Sequence, residues 1–151
     1  MSGNSRRNPG ADEIRRIIRG TERIAVVGMS RDPAKAARRI PSYLAAMGAE
    51  IVPVNPLADR ILGRNAHATL EEVDDSVDMV LIFRPSPEVA PFVRAAAARP
   101  EAPVIWLQEG IRDDRAAEEA RAAGRTVVQD LCIYRVHRAM GGTLRRGLRR
   151  Q

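Results

Sequence analysis

Four residues that follow an early apolar run have the chemistry of a phosphate site. They are Gly28, Ser30, Lys35 and Arg39. A glycine at a sharp turn lets an anion approach the backbone, and a serine hydroxyl adds a donor beside the N–H groups that begin a helix. Residues four apart share one helix face, so Lys35 and Arg39 could bind phosphates together. By itself a Gly-x-Ser turn is weak evidence, because a plain tight turn has the same sequence.

The elements around these residues form a strand, a turn, a helix and a second strand. Residues 24–27 and 51–54 are short apolar runs rich in β-branched side chains. Between them a basic helical pattern begins near Pro33 and stops at Gly48. A parallel unit of this kind, with glycine at the end of its first strand, presents backbone N–H groups to a phosphate.

Strands and helices alternate along the rest of the chain. Apolar runs predict further strands at 77–83, 104–107 and 126–128, with helical patterns at 12–20, 88–99 and 113–123. The alternation predicts an α/β, Rossmann-like, doubly wound parallel sheet of five main strands with helices on both faces. Residues 61–63 leave room for a short extra edge strand.

Length and charge predict one domain with polar ends. For 151 residues we expect a disordered lead at 1–11, a folded domain at 12–140 and a basic flexible tail at 141–151. Four arginines of the tail carry much of the net charge of +6, which is +2 without them. A solvated tail explains these charges better than an arm that binds polyanions, so nucleic acid is disfavoured as a partner.

The chain has the composition of a cytoplasmic protein. Its single cysteine cannot form an internal disulfide, which favours a reducing compartment. The first residues lack the apolar core of a signal peptide, and no apolar run approaches the ~20 residues that span a membrane.

The identity of the nucleotide is indicated by two features of NAD sites that the turn and the second strand lack. An NAD site usually has Gly-x-Gly-x-x-Gly and a carboxylate near the end of strand two. Here Ser30 stands where the second glycine would be, and the strand ends in Asn55-Pro56. Basic residues without that carboxylate favour a ligand with an extra phosphate, either CoA or NADP.

Five ordered segments resemble a known family. They are IAVVGMSRDPAK, IVPVNP, VDMVLIFRPSPEV, VIWLQEGI and VVQDLCI, spread over about residues 24–137. In this order they resemble the small stand-alone bacterial CoA-binding proteins, which are similar in turn to the CoA-binding domain of the succinyl-CoA synthetase alpha subunit.

The resemblance implies coenzyme A or an acyl-CoA as the ligand, with its phosphates among the four residues named above. The adenosine end is implied to lie against Val54, Asn55 and Pro56. The pantetheine arm is implied to follow Phe83, Arg84 and Pro85, with Glu109 beside it. Family members often carry Pro and Ser at positions 36 and 37, and Arg at position 131, where this chain has Ala36, Ala37 and Leu131. These departures remove phosphate donors.

Cys132 follows the last strand, on the ligand side of the predicted sheet. One interpretation is a small buried apolar residue, as most free cysteines are. The other is a thiol that faces the CoA thiol and forms a reversible mixed disulfide with it.

We expect a binding module without autonomous catalysis. The synthetases that the chain resembles use a phosphorylated histidine from a second domain. His67 and His137 have no nucleophile or carboxylate at a useful spacing, so we expect both on the surface, and no metal-ligand cluster is visible. The alternatives are an NADP- or CoA-dependent enzyme or enzyme subunit that needs a partner, and a nucleic-acid-associated protein that uses the tail. A protein partner or a homodimer stays open.

Overall fold

A computed structural model describes residues 7–141 of the protein. Its strands, in chain order, are β1 (Arg23–Val27), β2 (Glu50–Val54), β3 (Arg60–Ile61), β4 (Arg64–Asn65), β5 (Met79–Ile82), β6 (Val104–Leu107) and β7 (Val127–Val128). Five of them form a parallel sheet in the order β2-β1-β5-β6-β7. The predicted Rossmann-like α/β fold with five parallel strands is therefore confirmed.

Helices cover both faces of this sheet. They are α1 (Ala11–Gly20), α2 (Ala36–Ala46), α3 (Ala90–Ala97), α4 (Asp114–Ala122) and α5 (Ile133–Ala139). Helices α1, α2 and α5 bury apolar side chains in one core, and α3 and α4 bury theirs in the core on the opposite face. Because both faces are covered, the main-sheet strands are apolar runs after the charged first residues Arg23 and Glu50, rather than alternating between apolar and polar residues.

The strand order reverses direction next to β1. From β1 the chain passes through α2 to β2 on one side, and then returns across β1 to β5 on the other side. The registers place Val27 beside both Val54 and Ile82. The residues after these three strands therefore start level with one another, at the switch point where such sheets bind ligands.

The return from β2 to β5 has little regular structure. Strands β3 and β4 pair only with each other, in an antiparallel ribbon whose turn holds Leu62 and Gly63 at φ 56° and 71°. The short extra strand allowed for at 61–63 is present as part of this ribbon, and His67 after it forms an isolated parallel bridge with Val54 at the edge of the main sheet. A single 3-10 turn, Leu70–Glu72, follows the ribbon. A crossover without an α-helix leaves room on the α3 side of the sheet.

The ends of the predicted domain fall partly outside the described residues. The disordered lead was predicted at 1–11, of which 1–6 are not described, and the flexible tail at 141–151, of which 142–151 are not described. Within the described part, Asn8 makes two hydrogen bonds of 2.8 Å with the backbone of Gln129. No helix among residues 7–141 has the length and apolar character needed to cross a bilayer.

Candidate functional site

A cleft of about 700 Å³ opens at the switch point. Residues 28–30, 54–57 and 83–84 form its base, at the carboxyl ends of β1, β2 and β5. We call these residues the cleft rim. The cleft continues between the 3-10 turn Leu70–Glu72 and the first half of α3, where the chain lacks a crossover helix. Its position therefore follows from the strand order and from the short connection after β2.

Gly28 is required by the shape of the cleft rim. Its φ is +80°, and a Cβ on it would lie 2.9 Å from Arg84 Cδ and 3.2 Å from the carbonyl oxygen of Phe83. Its N–H donates to the carbonyl of Val54 over 3.0 Å. Glycine thus lets three strand ends meet closely, because Arg84 and Phe83 occupy the space that a side chain would need.

The segment between Gly28 and α2 is ordered by its own polar groups. The hydroxyl oxygen of Ser30 accepts from the Asp32 N–H over 3.0 Å, and an Asp32 carboxylate oxygen accepts from the Ala34 N–H over 2.9 Å. Lys35 is the residue that caps α2, with extended backbone, and it lines the cleft with Ser30. Because the Ser30 oxygen is the acceptor in its bond, its proton stays available to a ligand.

Arg39 does not join Lys35 in the cleft. The helix begins at Ala36 rather than near Pro33, so Lys35 lies before the first helical residue and the four-residue spacing does not put the two cations on one face. Arg39 is exposed, and its guanidinium donates to the carbonyl of Ala34.

Asn55 joins two parts of the cleft rim. Its side-chain amide donates to the carbonyl of Met29 over 2.8 Å, and its side-chain oxygen accepts from the Leu57 N–H over 2.7 Å. These bonds hold Pro56 and Leu57 at the mouth of the cleft, where Leu57 is 83% exposed. Val54, Asn55 and Pro56 all line the cleft, as does Phe83 on the other side of β1.

Arg84 lies across the cleft rim and forms an ion pair. Its guanidinium contacts Glu88 over 2.5 Å, and the two side chains are 41% and 52% exposed. An ion pair of this exposure, four residues apart, contributes only about 0.3–0.5 kcal/mol. The charged lining consists of Lys35 and Arg84 with Glu71 and Glu88, so the two signs balance.

The far part of the cleft has apolar side chains on both walls, and Arg99 bonds to the backbone of one of them. Leu70 on one wall faces the α3 wall, which includes Phe92. The Arg99 guanidinium donates to the carbonyls of Leu70, Val73 and Asp75 over 3.0–3.1 Å.

Arg99 also forms an ion pair with Glu101 over 2.8 Å. Burial alone would raise the pKa of Glu101, but the N–H of Val77 and the Arg99 guanidinium hold that pKa below its usual value. No sequence pattern marks Arg99 for this role, because the pattern predicts it only as the last residue of a helix, which in the structure ends at Ala97.

The other predicted residues lie away from the cleft lining. Pro85 precedes the 3-10 turn Ser86–Glu88. Glu109 forms an ion pair of 2.6 Å with Arg135. Cys132 is 7% exposed, caps α5 and packs in the core on the α2 side.

The loops after β6 and β7 bond mainly to one another. We call residues 108–112 and 129–132 the bonded rim. The Gly110 N–H donates to an Asp130 carboxylate oxygen over 2.7 Å, and the Asp130 N–H donates to the carbonyl of Ile111 over 3.1 Å. Gln108 accepts from the Ile133 N–H over 3.1 Å. The polar groups of this half of the edge are thus occupied within the protein.

The expected surface position of His137 is wrong. Its side chain is fully buried between α5 and α2, and its Nδ1 lies 2.6 Å from the Tyr43 hydroxyl oxygen. Burial lowers the pKa of His137. His67 is half-buried in the loop after the ribbon. Across residues 7–141, no three His, Cys, Asp or Glu side chains are grouped closely enough to hold a metal ion.

Comparisons with known proteins agree with this architecture. The chain is 39% identical over 130 residues to the uncharacterized protein YneT of Bacillus subtilis (strain 168), covering 86% of this chain and 96% of that one. It superimposes on the structure of cell-free ID.343 from Thermus thermophilus with a TM-score of 0.81 and 30% identity, covering 87% of this chain and 99% of that one.

A larger protein contains a similar domain. The structure of Ca. Korarchaeum cryptofilum dinucleotide forming Acetyl-coenzyme A synthetase 1, in complex with phosphate and ADP, matches with a TM-score of 0.63 and 25% identity over 78% of this chain and 27% of that one. Residues 22–138 match the CoA binding domain family. Since the match includes every strand of the sheet and the whole cleft lining, the chain belongs to the CoA binding domain family.

Proposed function

We propose that the chain binds coenzyme A or an acyl-CoA in the switch-point cleft, and that it does so without catalysing a reaction by itself. The observation that carries the proposal is the cleft itself, which opens where the strand order reverses and is lined by Ser30 and Lys35 beside the start of α2. The start of α2 provides a positive helix end for a phosphate.

The polar part of the cleft suits the phosphates of the ligand. Ser30 has a hydroxyl proton to donate, and Lys35 brings a positive charge at the first turn of α2. Phosphates accept such charge-assisted hydrogen bonds strongly.

The remainder of the cleft suits the adenosine and the pantetheine. Val54, Asn55 and Pro56 offer a mixed apolar and polar wall for the adenosine end, and Phe83 and Arg84 begin a path for the pantetheine arm. Arg39, Pro85, Glu109 and Cys132 do not line the cleft, so the proposal leaves direct contacts to the other eight predicted residues.

Binding without autonomous catalysis is supported by the functional groups in the cleft lining. Its titratable side chains are two cations and two carboxylates, and Glu88 is paired with Arg84. A nucleophile beside a base is not present among these lining residues, whereas covalent or general-base chemistry needs such a pair.

Mass spectrometry of the protein purified without added ligand tests the proposal. Under native and then denaturing conditions, we expect a non-covalent adduct with the mass of CoA or an acyl-CoA. Titration calorimetry with CoA, 3′-dephospho-CoA and NADP should give the highest affinity for CoA. Tighter binding of NADP than of CoA would contradict the assignment.

The catalytic part is tested separately. Incubation with acetyl-CoA, followed by measurement of free thiol, should show no release above the rate without protein. Thiol release by the purified chain alone would show that it is an enzyme.

A further inference from the structure

We propose that Glu88 is a counter-ion that the ligand's phosphates replace on Arg84, so that this carboxylate sets how strongly the cleft favours highly charged ligands. The inference rests on the proposed function, because it concerns how the same cleft admits its ligand.

The position of Arg84 puts its cation at the phosphate turn. Its Cδ lies 2.9 Å from the place where a Cβ on Gly28 would stand, so the aliphatic stem crosses the turn itself. Arg84 and its partner Glu88 both line the cleft. A cation that is carried over the turn is within reach of an anion bound there.

The bond between Arg84 and Glu88 is one that a phosphate can replace. A guanidinium binds carboxylate and phosphate oxygens through the same planar set of N–H donors, so the two anions compete for it. Both side chains are about half exposed, and Glu88 lies at the end of a short 3-10 turn. Its carboxylate can therefore move into water without breaking a buried contact.

Charge balance in the cleft gives the exchange a consequence for selectivity. The lining carries two cations and two carboxylates, so the net charge of its side chains does not attract an anion. A ligand with several phosphate charges gains Arg84 and moves Glu88 away, whereas an uncharged ligand has no anion to offer in exchange. Glu88 should thus weaken the binding of phosphorylated ligands and have little effect on others.

Titration calorimetry with CoA and with pantetheine, which lacks the nucleotide phosphates, tests the exchange. In Glu88→Gln, which keeps the size of the side chain, we expect CoA to bind about twofold more tightly and pantetheine to bind as before. Arg84→Met should weaken CoA binding about tenfold. Adding Glu88→Gln to Arg84→Met should then leave CoA affinity unchanged, because the carboxylate acts through the arginine.

A second ion pair provides a matched control. Arg94 and Glu119 pair over 3.4 Å between α3 and α4, and Glu119 is 47% exposed, close to Glu88. Neither residue lines the cleft. Glu119→Gln should leave the affinity for CoA unchanged.

Each remaining outcome decides between the two proposals. If the wild-type protein binds no CoA, the proposed function fails and the exchange fails with it. If the wild type binds CoA but Glu88→Gln binds it no more tightly, the exchange alone is overturned. It is also overturned if Glu88→Gln has the same effect with and without Arg84, or if it changes pantetheine affinity as much as CoA affinity.

Discussion

The cleft rim and the bonded rim lie at the same edge of one sheet and use their polar groups differently. In the cleft rim, Ser30 accepts one backbone bond, and Lys35 beside it is exposed. In the bonded rim, Gly110 and Asp130 bond to one another's loops, and Glu109 pairs with Arg135. Backbone N–H groups of both halves are bonded within the fold, and the difference is that Ser30, with a hydroxyl proton to donate, and the cation Lys35 line the cleft in the first half.

This difference follows from the connections behind each half. After β2 the chain returns through a ribbon and one 3-10 turn, which leaves the cleft beside α3. After β6 and β7 the chain enters α4 and α5 directly, and the loops are short enough to bond to each other. Polar residues at a strand end therefore indicate a site only where the adjoining crossover leaves space above them.

The largest expected effect comes from replacing Gly28 in the cleft rim, with the glycine of the bonded rim as its control. Gly28→Ala should lower the free energy of unfolding by about 2–4 kcal/mol, because the added Cβ meets a backbone carbonyl in a left-handed conformation. It should also weaken CoA binding at least tenfold, since Arg84 and Phe83 must move. Chemical denaturation and titration calorimetry measure the two effects.

Gly110→Ala is the control for this exchange. Gly110 has φ +84°, close to that of Gly28, but an added Cβ would meet nothing within 4 Å. We expect a loss of about 1 kcal/mol from the backbone conformation and no change in CoA affinity. Equal losses of CoA affinity in both variants would remove the distinction between the rims.

A smaller effect is expected from the two cations that the sequence grouped together. Lys35→Ala should weaken CoA binding about fivefold, because Lys35 lines the cleft. Arg39→Ala should change it by less than about twofold, because Arg39 bonds to the Ala34 carbonyl outside the lining. Both side chains are exposed, so the melting temperature should hardly change. A larger loss of CoA affinity in Arg39→Ala than in Lys35→Ala would show that Arg39 contributes to the site.

The fold could be predicted from the sequence because its signals are local and repeated. Each strand is an apolar run followed by a glycine or a polar turn, and each helix has its own period, so errors stay at the ends of elements. The start of α2 shows such an error. Pro33 suits a first turn, but Ser30 and Asp32 hold residues 30–35 in a loop, and the helix starts at Ala36.

The residues of the site were harder to predict than the fold, because contacts between distant parts of the chain decide which strand-end residues line the cleft. Gly28, Ser30 and Asn55 follow strands that the sequence identifies, so their meeting could be inferred from topology. Glu109 and Cys132 also follow strands, yet one is paired with Arg135 and the other is buried in the core. The sequence does not specify which strand-end residues will find partners on α5.

The smallest expected effect is a change in stability with pH through His137, which links the helices of the two rims. Helix α5 begins at the bonded rim and α2 at the cleft rim, and they meet where His137 contacts Tyr43. Burial lowers the pKa of His137 in the folded protein. As pH falls through about 6.5, the unfolded imidazole takes up a proton first. The unfolded state then binds more protons than the folded state, so the free energy of unfolding decreases as the pH is lowered. The contribution of His137 to stability is fully present above about pH 7.5.

Chemical denaturation at pH 7.5 and pH 5.5 measures this contribution. In His137→Gln, whose side-chain amide can still hydrogen-bond with the Tyr43 hydroxyl, the loss of stability between the two pH values should be smaller than in the wild type, whatever the change at pH 7.5. Its affinity for CoA at pH 7.5 should equal that of the wild type, because His137 lies behind the bonded rim and away from the cleft lining. If His137→Gln keeps its fold but binds CoA more weakly, the two rims are coupled through α2 and α5. The bonded rim then contributes to CoA binding as well as to the stability of the sheet.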